Sequence, residues 1–300
     1  MLRPRAALAW AMALASLAAT LAGFQPAASY VELIQQWRDR HQADLKADDG
    51  WLTVVGLEWL HDGANRAGSA PGSAVRLPAD APASLGVFTL SAGRVTFEPA
   101  PGHPVQINGQ PAPGASRLRP DTERPSDRLT IGTLSLTLIE RGDRFGIRVR
   151  DRQSPARLAF TDERWYPTRE TWRISARFEP YQPPKMLPIV NVLGQVESQA
   201  SPGAVVFTLD GRDYRLDPIG QGRRLFFNFK DRTSGDTTYP AGRFLYADLP
   251  QNGRVALDFN KAENPPCAFT EFATCPLPPK QNQLPVRVEA GELYGGHGQL

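Results

Sequence analysis

Three hundred residues with a formal charge of +3 make one large domain or two modest ones, and either can bury a core. No basic cluster is interleaved with aromatics, which excludes nucleic acid as a partner. Two cysteines, and four histidines (His41, His61, His103, His297) with none between residues 104 and 296, argue against a histidine-rich metal centre, so no metal ligands are assigned.

Residues 1–29 read as a secretory signal. Arg3 and Arg5 precede an uncharged apolar run, and small residues follow in "QPAAS", with an exit near Ala28 or Ser29. The run is short for a membrane span, and no later run approaches that length. An exported chain is expected, periplasmic or secreted, with no integral membrane segment after cleavage. Losing Arg3 and Arg5 brings the formal charge to +1.

Residues 30–48 form the next unit. In "YVELIQQWRDRHQADLK" the residues Val31, Ile34, Trp37, His41 and Leu45 recur at helical spacing, and "ADDG" supplies the stop. The pattern predicts an amphipathic helix, with His41 as a packed residue on its apolar face.

From Trp51 the period becomes two. Short apolar runs such as "GVFTL", "RVTFEP", "RLFFNF", "RFLYADL" and "RVALDF" are separated by Gly, Pro, Asn and Asp. In "RLTIGTLSLTLIERGDRFGIRVRD" a one-residue slip at Gly132 is read as a bulge. Arg141-Gly142-Asp143 is read as a hairpin turn, with Arg148 and Arg150 on one solvated face. Asp210-Gly211 lies between alternating runs, a strong hairpin signal. About fourteen strand candidates predict an all-β chain of short antiparallel strands, in one large or two packed sandwich- or barrel-like units. The division is placed at 49–165 and 166–300, the second unit carrying a Pro- and Cys-rich loop.

Several chemistries are absent by motif. There is no G-x-S-x-G elbow, no P-loop and no G-x-G-x-x-G after a strand. No motif names a cofactor. Polar residues with site potential gather after residue 228. Asp231 and Asp258 end apolar strands, where a scaffold presents side chains to a pocket, and are the candidates for acid–base work. Arg243 is the candidate for an anionic group, with Tyr239, Asn260, Asn264, Thr233 and Ser234 to orient a ligand. The competing reading is structural, since such residues commonly satisfy turn backbone. Cys267 and Cys275, in "NPPCAFTEFATCPLPPKQNQLP", have no histidine nearby for zinc. In an oxidising compartment they are expected to pair. Closing so short a loop contributes roughly 2–3 kcal/mol in the chain-entropy model.

The segments "FKDRTSGDTTYPAGRFLY" and "LDFNKAENPPCAFTEFATCPLPPKQNQLPVRVEAGE" resemble the bacterial family known as domain of unknown function 1684. "GWLTVVGLEWLHDGANRAGS", "RGDRFGIRVRD" and "NVLGQVESQASPGAVVFTLDGRDYRL" extend the likeness over nearly all of the mature chain. The resemblance implies one β-rich module. It carries no activity, substrate or catalytic set. Some members lack a signal segment, which leaves a packed or redox-sensitive thiol pair beside the disulfide. Two readings of function stand: a pocket in the C-terminal half that binds, and transforms, a small polar molecule; or a non-catalytic structural or partner-binding envelope module.

Overall fold

The structure is a computed structural model and describes residues 28–220 and 222–295. Residues 1–27 of the expected signal, and His297, lie outside the described residues. The first described element is α1 (Tyr30–Lys46). Ser29 starts it with a capping box: its Oγ accepts from Glu32 N, and the Glu32 carboxylate accepts from Ser29 N at 2.6 Å, which satisfies two donors left open by the first turn. The buried stripe differs slightly from the expected one. Ile34 and Leu45 are buried, whereas Val31 is 56% exposed. Tyr30 takes the first place on that face, its hydroxyl donating to Asp258 Oδ1 at 2.8 Å.

A one-turn helix, Trp51–Thr53, leads into the strands of the first half. In chain order these are β1 (Val54–Trp59), β2 (Gly63–Gly68), β3 (Val75–Arg76), β4 (Gly86–Ser91), β5 (Arg94–Pro99), β6 (Gln106–Ile107), β7 (Gln110–Pro111), β8 (Ser116–Leu118), β9 (Arg128–Ile131), β10 (Leu134–Arg141) and β11 (Arg144–Asp151). A short α2 (Pro155–Ala159) follows. The second half holds β12 (Arg173–Val190), β13 (Val196–Leu209), β14 (Arg212–Leu216), β15 (Arg224–Phe229), β16 (Arg243–Asp248) and β17 (Arg254–Asp258). The chain is therefore all-β, with seventeen strands among the described residues. The excess over the sequence reading lies in pieces such as β3, β6 and β7, each two residues long and too short to show alternation.

A six-stranded sheet, β1-β11-β10-β9-β6-β7, and a five-stranded sheet, β3-β2-β4-β5-β8, enclose one core. Phe88 and Phe97 from one sheet meet Leu136, Ile147 and Val149 from the other. A four-stranded sheet, β14-β13-β12-β17, and the β15-β16 pair enclose a second core around Phe207, Phe227, Phe229 and Phe259. Strand pairing is antiparallel throughout except between β2 and β3. Among the described residues no helix is long and apolar enough to cross a membrane.

The turns show how local sequence chose the register. Asp210 and Gly211 adopt φ of 50° and 73° between the paired Leu209 and Arg212, the type I′ geometry that matches strand twist. Gly132 corrects the expected bulge. Its φ is 53°, and it starts a two-residue turn between the paired Ile131 and Leu134. The slip in alternation thus marks a change of strand.

Two segments, α1 and the Pro- and Cys-rich loop, tie the halves together. Arg38 of α1 donates to Tyr166 O at 3.0 Å. In the Pro- and Cys-rich loop, Thr270 Oγ1 donates to Val54 O at 3.2 Å, and Thr274 Oγ1 accepts from Arg141 at 3.2 Å. Cys267 and Cys275 are free thiols here, not the expected bridge. Cys267 N donates to Cys275 Sγ at 3.2 Å, so one thiol already has a backbone partner.

Candidate functional site

The residues singled out from the sequence fall into separate networks. Asp231 and Arg243 form a buried ion pair at 2.7 Å, with side chains 0% and 1% exposed. Arg243 also donates to Val288 O at 2.9 Å and to Ala290 O. Asp231 Oδ1 accepts from Thr233 N and Thr233 Oγ1, both at 2.6 Å. Ser234 Oγ accepts from Asp231 N. Every strong donor and acceptor in this set has a protein partner, which gives it the character of a structural knot. Asp258 lies elsewhere, bonded to Tyr30 and to Asn260 Nδ2, and borders a cavity of about 160 Å³. Asn260 also holds Arg169 through backbone N and O. Tyr239 donates to Cys267 O at 2.9 Å. Asn264 belongs to a third group.

That third group surrounds His41. Helix periodicity places His41 one turn after Trp37, and the two rings stack at 5.4 Å. Trp165 meets both edge-on, at 5.6 and 5.8 Å. The aromatic wall holds the imidazole among three carboxylates from distant parts of the chain. His41 Nε2 stands 3.6 Å from Glu163 Oε1 and 3.7 Å from Glu292 Oε2. His41 Nδ1 stands 3.4 Å from Glu263 Oε2. The Glu163 and Glu292 side chains are both 0% exposed.

Backbone geometry builds this arrangement. Glu263 pairs with Phe244, and Glu292 N donates to Ala262 O at 2.8 Å. Gly291 makes the close approach possible. Its φ is 83°, and a Cβ there would lie 2.4 Å from Ala262 O, so only glycine fits. Asn264 then anchors Glu292 twice: its backbone N and its Nδ2 donate to the two carboxylate oxygens, each at 2.7 Å.

The electrostatics do not close within the protein. Burial alone would lower the His41 pKa, but the attraction of Glu163 and Glu292, with Glu263 nearby, outweighs it and raises the value to about 10. Burial pushes Glu263 up to about 7 against the pull of His41. Burial likewise pushes Glu292 upward. One imidazole faces three carboxyl groups, two of them pushed up toward neutral pH. Both oxygens of Glu163, His41 Nε2 and Asn264 Oδ1 are buried without a hydrogen-bond partner. Buried acceptors without partners are costly, and the Glu163 carboxylate and His41 Nε2 face one another here. One donor atom each from His41, Glu163 and Glu292 lies within 4.8 Å of the others. Ligands at about 2.1 Å from a tetrahedral ion stand about 3.4 Å apart, close to the Nε2–carboxylate distances.

The opposite edge of the imidazole faces a pocket of about 610 Å³, lined by Trp37, His41, Trp51, Arg224, Tyr246 and Glu263 among others. His41 and Glu263 are the members of the cluster on its wall. Arg40, Arg224 and Lys261 on its lining face Asp44, Asp49 and Glu263, so charges of both signs border the pocket.

Sequence reasoning missed Glu163 and Glu263 and assigned His41 to packing. The available signal was weak. His41 sits on the inner face of its helix, and Glu163, between Asp162 and Arg164, and Glu263, between Ala262 and Asn264, read as ordinary surface acids. Their meeting depends on contacts more than a hundred residues apart.

Residues 158–293 match the model of a family described as Protein of unknown function (DUF1684), in agreement with the resemblance read from the sequence. That span includes Glu163, Glu263, Asn264 and Glu292; His41 precedes it. The chain is also similar to the uncharacterized protein from gene locus rrnAC0354 of Haloarcula marismortui, solved in solution by NMR. The identity is 28%, covering 46% of this chain and 78% of that one, with a TM-score of 0.39. No curated protein matches the chain.

Proposed function

We propose that this is an exported protein that holds a divalent cation behind His41 and receives a small polar molecule in the adjoining pocket, with Glu263 exchanging a proton with it. One observation carries the reading: His41 presents Nε2 to two buried carboxylates and Nδ1 to a carboxylate on the pocket wall. A ligating histidine commonly donates its other ring N–H to a carboxylate, which fixes its tautomer, and Glu263 stands where that acceptor belongs. Imidazole with carboxylates suits manganese, iron or zinc. The ion would take the place of the proton on His41 Nε2, which now faces Glu163 at 3.6 Å, and so supply the positive charge there. Glu263 is half-enclosed, within reach of a pocket ligand, and paired with a histidine that can stabilise its anion.

The test uses the full mature chain after chelation. Manganese, zinc, magnesium and calcium are titrated separately by calorimetry and thermal unfolding. One or more is expected to bind with one-to-one stoichiometry and raise the melting temperature. Glu163→Gln is expected to weaken that binding at least about tenfold, as loss of a charged ligand bond does. If no cation binds, or if Glu163→Gln binds as wild type, the reading fails. Screening a metabolite mixture against wild type and Glu263→Gln then reports on the pocket.

A second reading, a structural or partner-binding module, is favoured by one patch. Met186, Val190, Val192, Leu193 and Val196 are exposed along the β12–β13 hairpin and its connection. Such a patch fits a protein contact.

A further inference from the structure

Arg148 and Arg150 form a second unbalanced cluster, apart from the His41 centre. Alternation along β11 sends Ile147 and Val149 into the first core and Arg148 and Arg150 to the opposite face. That face was expected to be solvated. Instead the one-turn helix at Trp51 and the Pro- and Cys-rich loop cover it. Arg148 is only 5% exposed. Both guanidiniums lie over the Trp51 ring, at 5.1 and 5.8 Å. Ser135 and Thr137 of β10 stand directly opposite Arg150 and Arg148, so their hydroxyls share the face.

Neither arginine has an acidic partner among the described residues. Arg148 Nε and Nη2, and Arg150 Nε, are buried without a hydrogen bond. Asp121 is engaged by Arg141 at 2.8 Å, and Asp49 by Arg128 at 3.2 Å. The Cys275 thiol does not supply the charge: its hydrogen bond with Cys267, together with burial, pushes its pKa up. Burial, with Arg150 and Arg141 nearby, brings Arg148 down to about 10, so it remains a cation at neutral pH. A buried and a half-buried like charge without an anion oppose folding.

We propose that Arg148 and Arg150, stacked against Trp51 where the two halves meet, bind an oxyanion, the carboxylate or phosphoryl group of a small ligand. The forked N–H groups of a guanidinium match two oxygens of such a group, which a spherical halide cannot offer. The open donors are two on Arg148 and one on Arg150, with the Ser135 and Thr137 hydroxyls at the same face. Trp51 also lines the pocket beside His41, so the anion site adjoins the cation-dependent pocket while depending on different residues.

The test is independent of cation binding. The full mature chain, chelated and dialysed into chloride, is titrated at constant ionic strength with inorganic phosphate and with acetate. Calorimetry and thermal unfolding follow binding. A saturable response to phosphate alone identifies a phosphoryl site; a response to acetate identifies a carboxylate site. Arg148→Gln and Arg150→Gln are each expected to weaken binding at least about tenfold, with cation binding unchanged. Arg150 is the less buried of the two, so its variant decides if Arg148→Gln does not fold. Absence of a saturable response to either anion overturns the proposal, as do variants that bind like wild type.

Discussion

At the scale of single residues, burial without a partner separates site from scaffold here better than residue type does. Asp231 and Arg243 have the composition of a catalytic pair, yet every strong group is satisfied internally. Removing one member leaves a buried charge alone. Arg243→Ala is therefore expected to lower stability by about 3–5 kcal/mol, read from urea unfolding, with cation affinity unchanged in whatever fraction folds. Asp127 shows the same logic at the surface of the first half. Burial would raise its pKa, but hydrogen bonds from Arg119 and Asn108 outweigh that and hold it below its ordinary value of 3.8. A carboxylate whose folded pKa is depressed stabilises the fold fully above its unfolded value, and the gain is lost as pH falls through the folded value. Asp127→Asn is expected to flatten the acid side of the stability–pH curve below about pH 4, measured as the urea midpoint at successive pH values. Arg119 is 40% exposed, so the effect is expected to weaken in salt.

At the scale of elements, α1 both closes a core and delivers His41. Ser29→Ala breaks its capping box and is expected to cost about 1 kcal/mol, measured by thermal unfolding, with a matching loss of cation affinity if helix fraying reaches the imidazole. The helix was legible because apolar residues at period 3.6 bury one side. The hairpins at Asp210-Gly211 and Gly142-Asp143 were legible because Asp210, Gly211 and Gly142 adopt positive φ cheaply. The strand break at Gly132 looked like a bulge because both put a glycine at the point where alternation slips. The His41 centre was not legible. No period or short motif joins residues 41, 163, 263 and 292; only the tertiary arrangement does. Arg148 and Arg150 were correctly placed on one face, but alternation cannot say whether a face meets water or another sheet.

At the scale of the whole molecule, two cores share a seam, and the charged groups without partners lie beside it. The seam holds α1, Trp51 and the loop from Cys267 to Cys275. Cys275 is 4% exposed and Cys267 partly so. Both thiols are expected to react slowly with a thiol reagent in the native state and together on unfolding. Thiol counting before and after denaturation checks this.

The path of the chain through the His41 centre has a temporal meaning. His41 leaves the ribosome early, whereas Glu292 follows some 250 residues later, and contacts so far apart in sequence form late. The centre therefore cannot assemble before Glu292 has been made. A protein clipped before Glu292 is expected to keep the first core and lose cation affinity altogether, measured by calorimetry on the truncated chain.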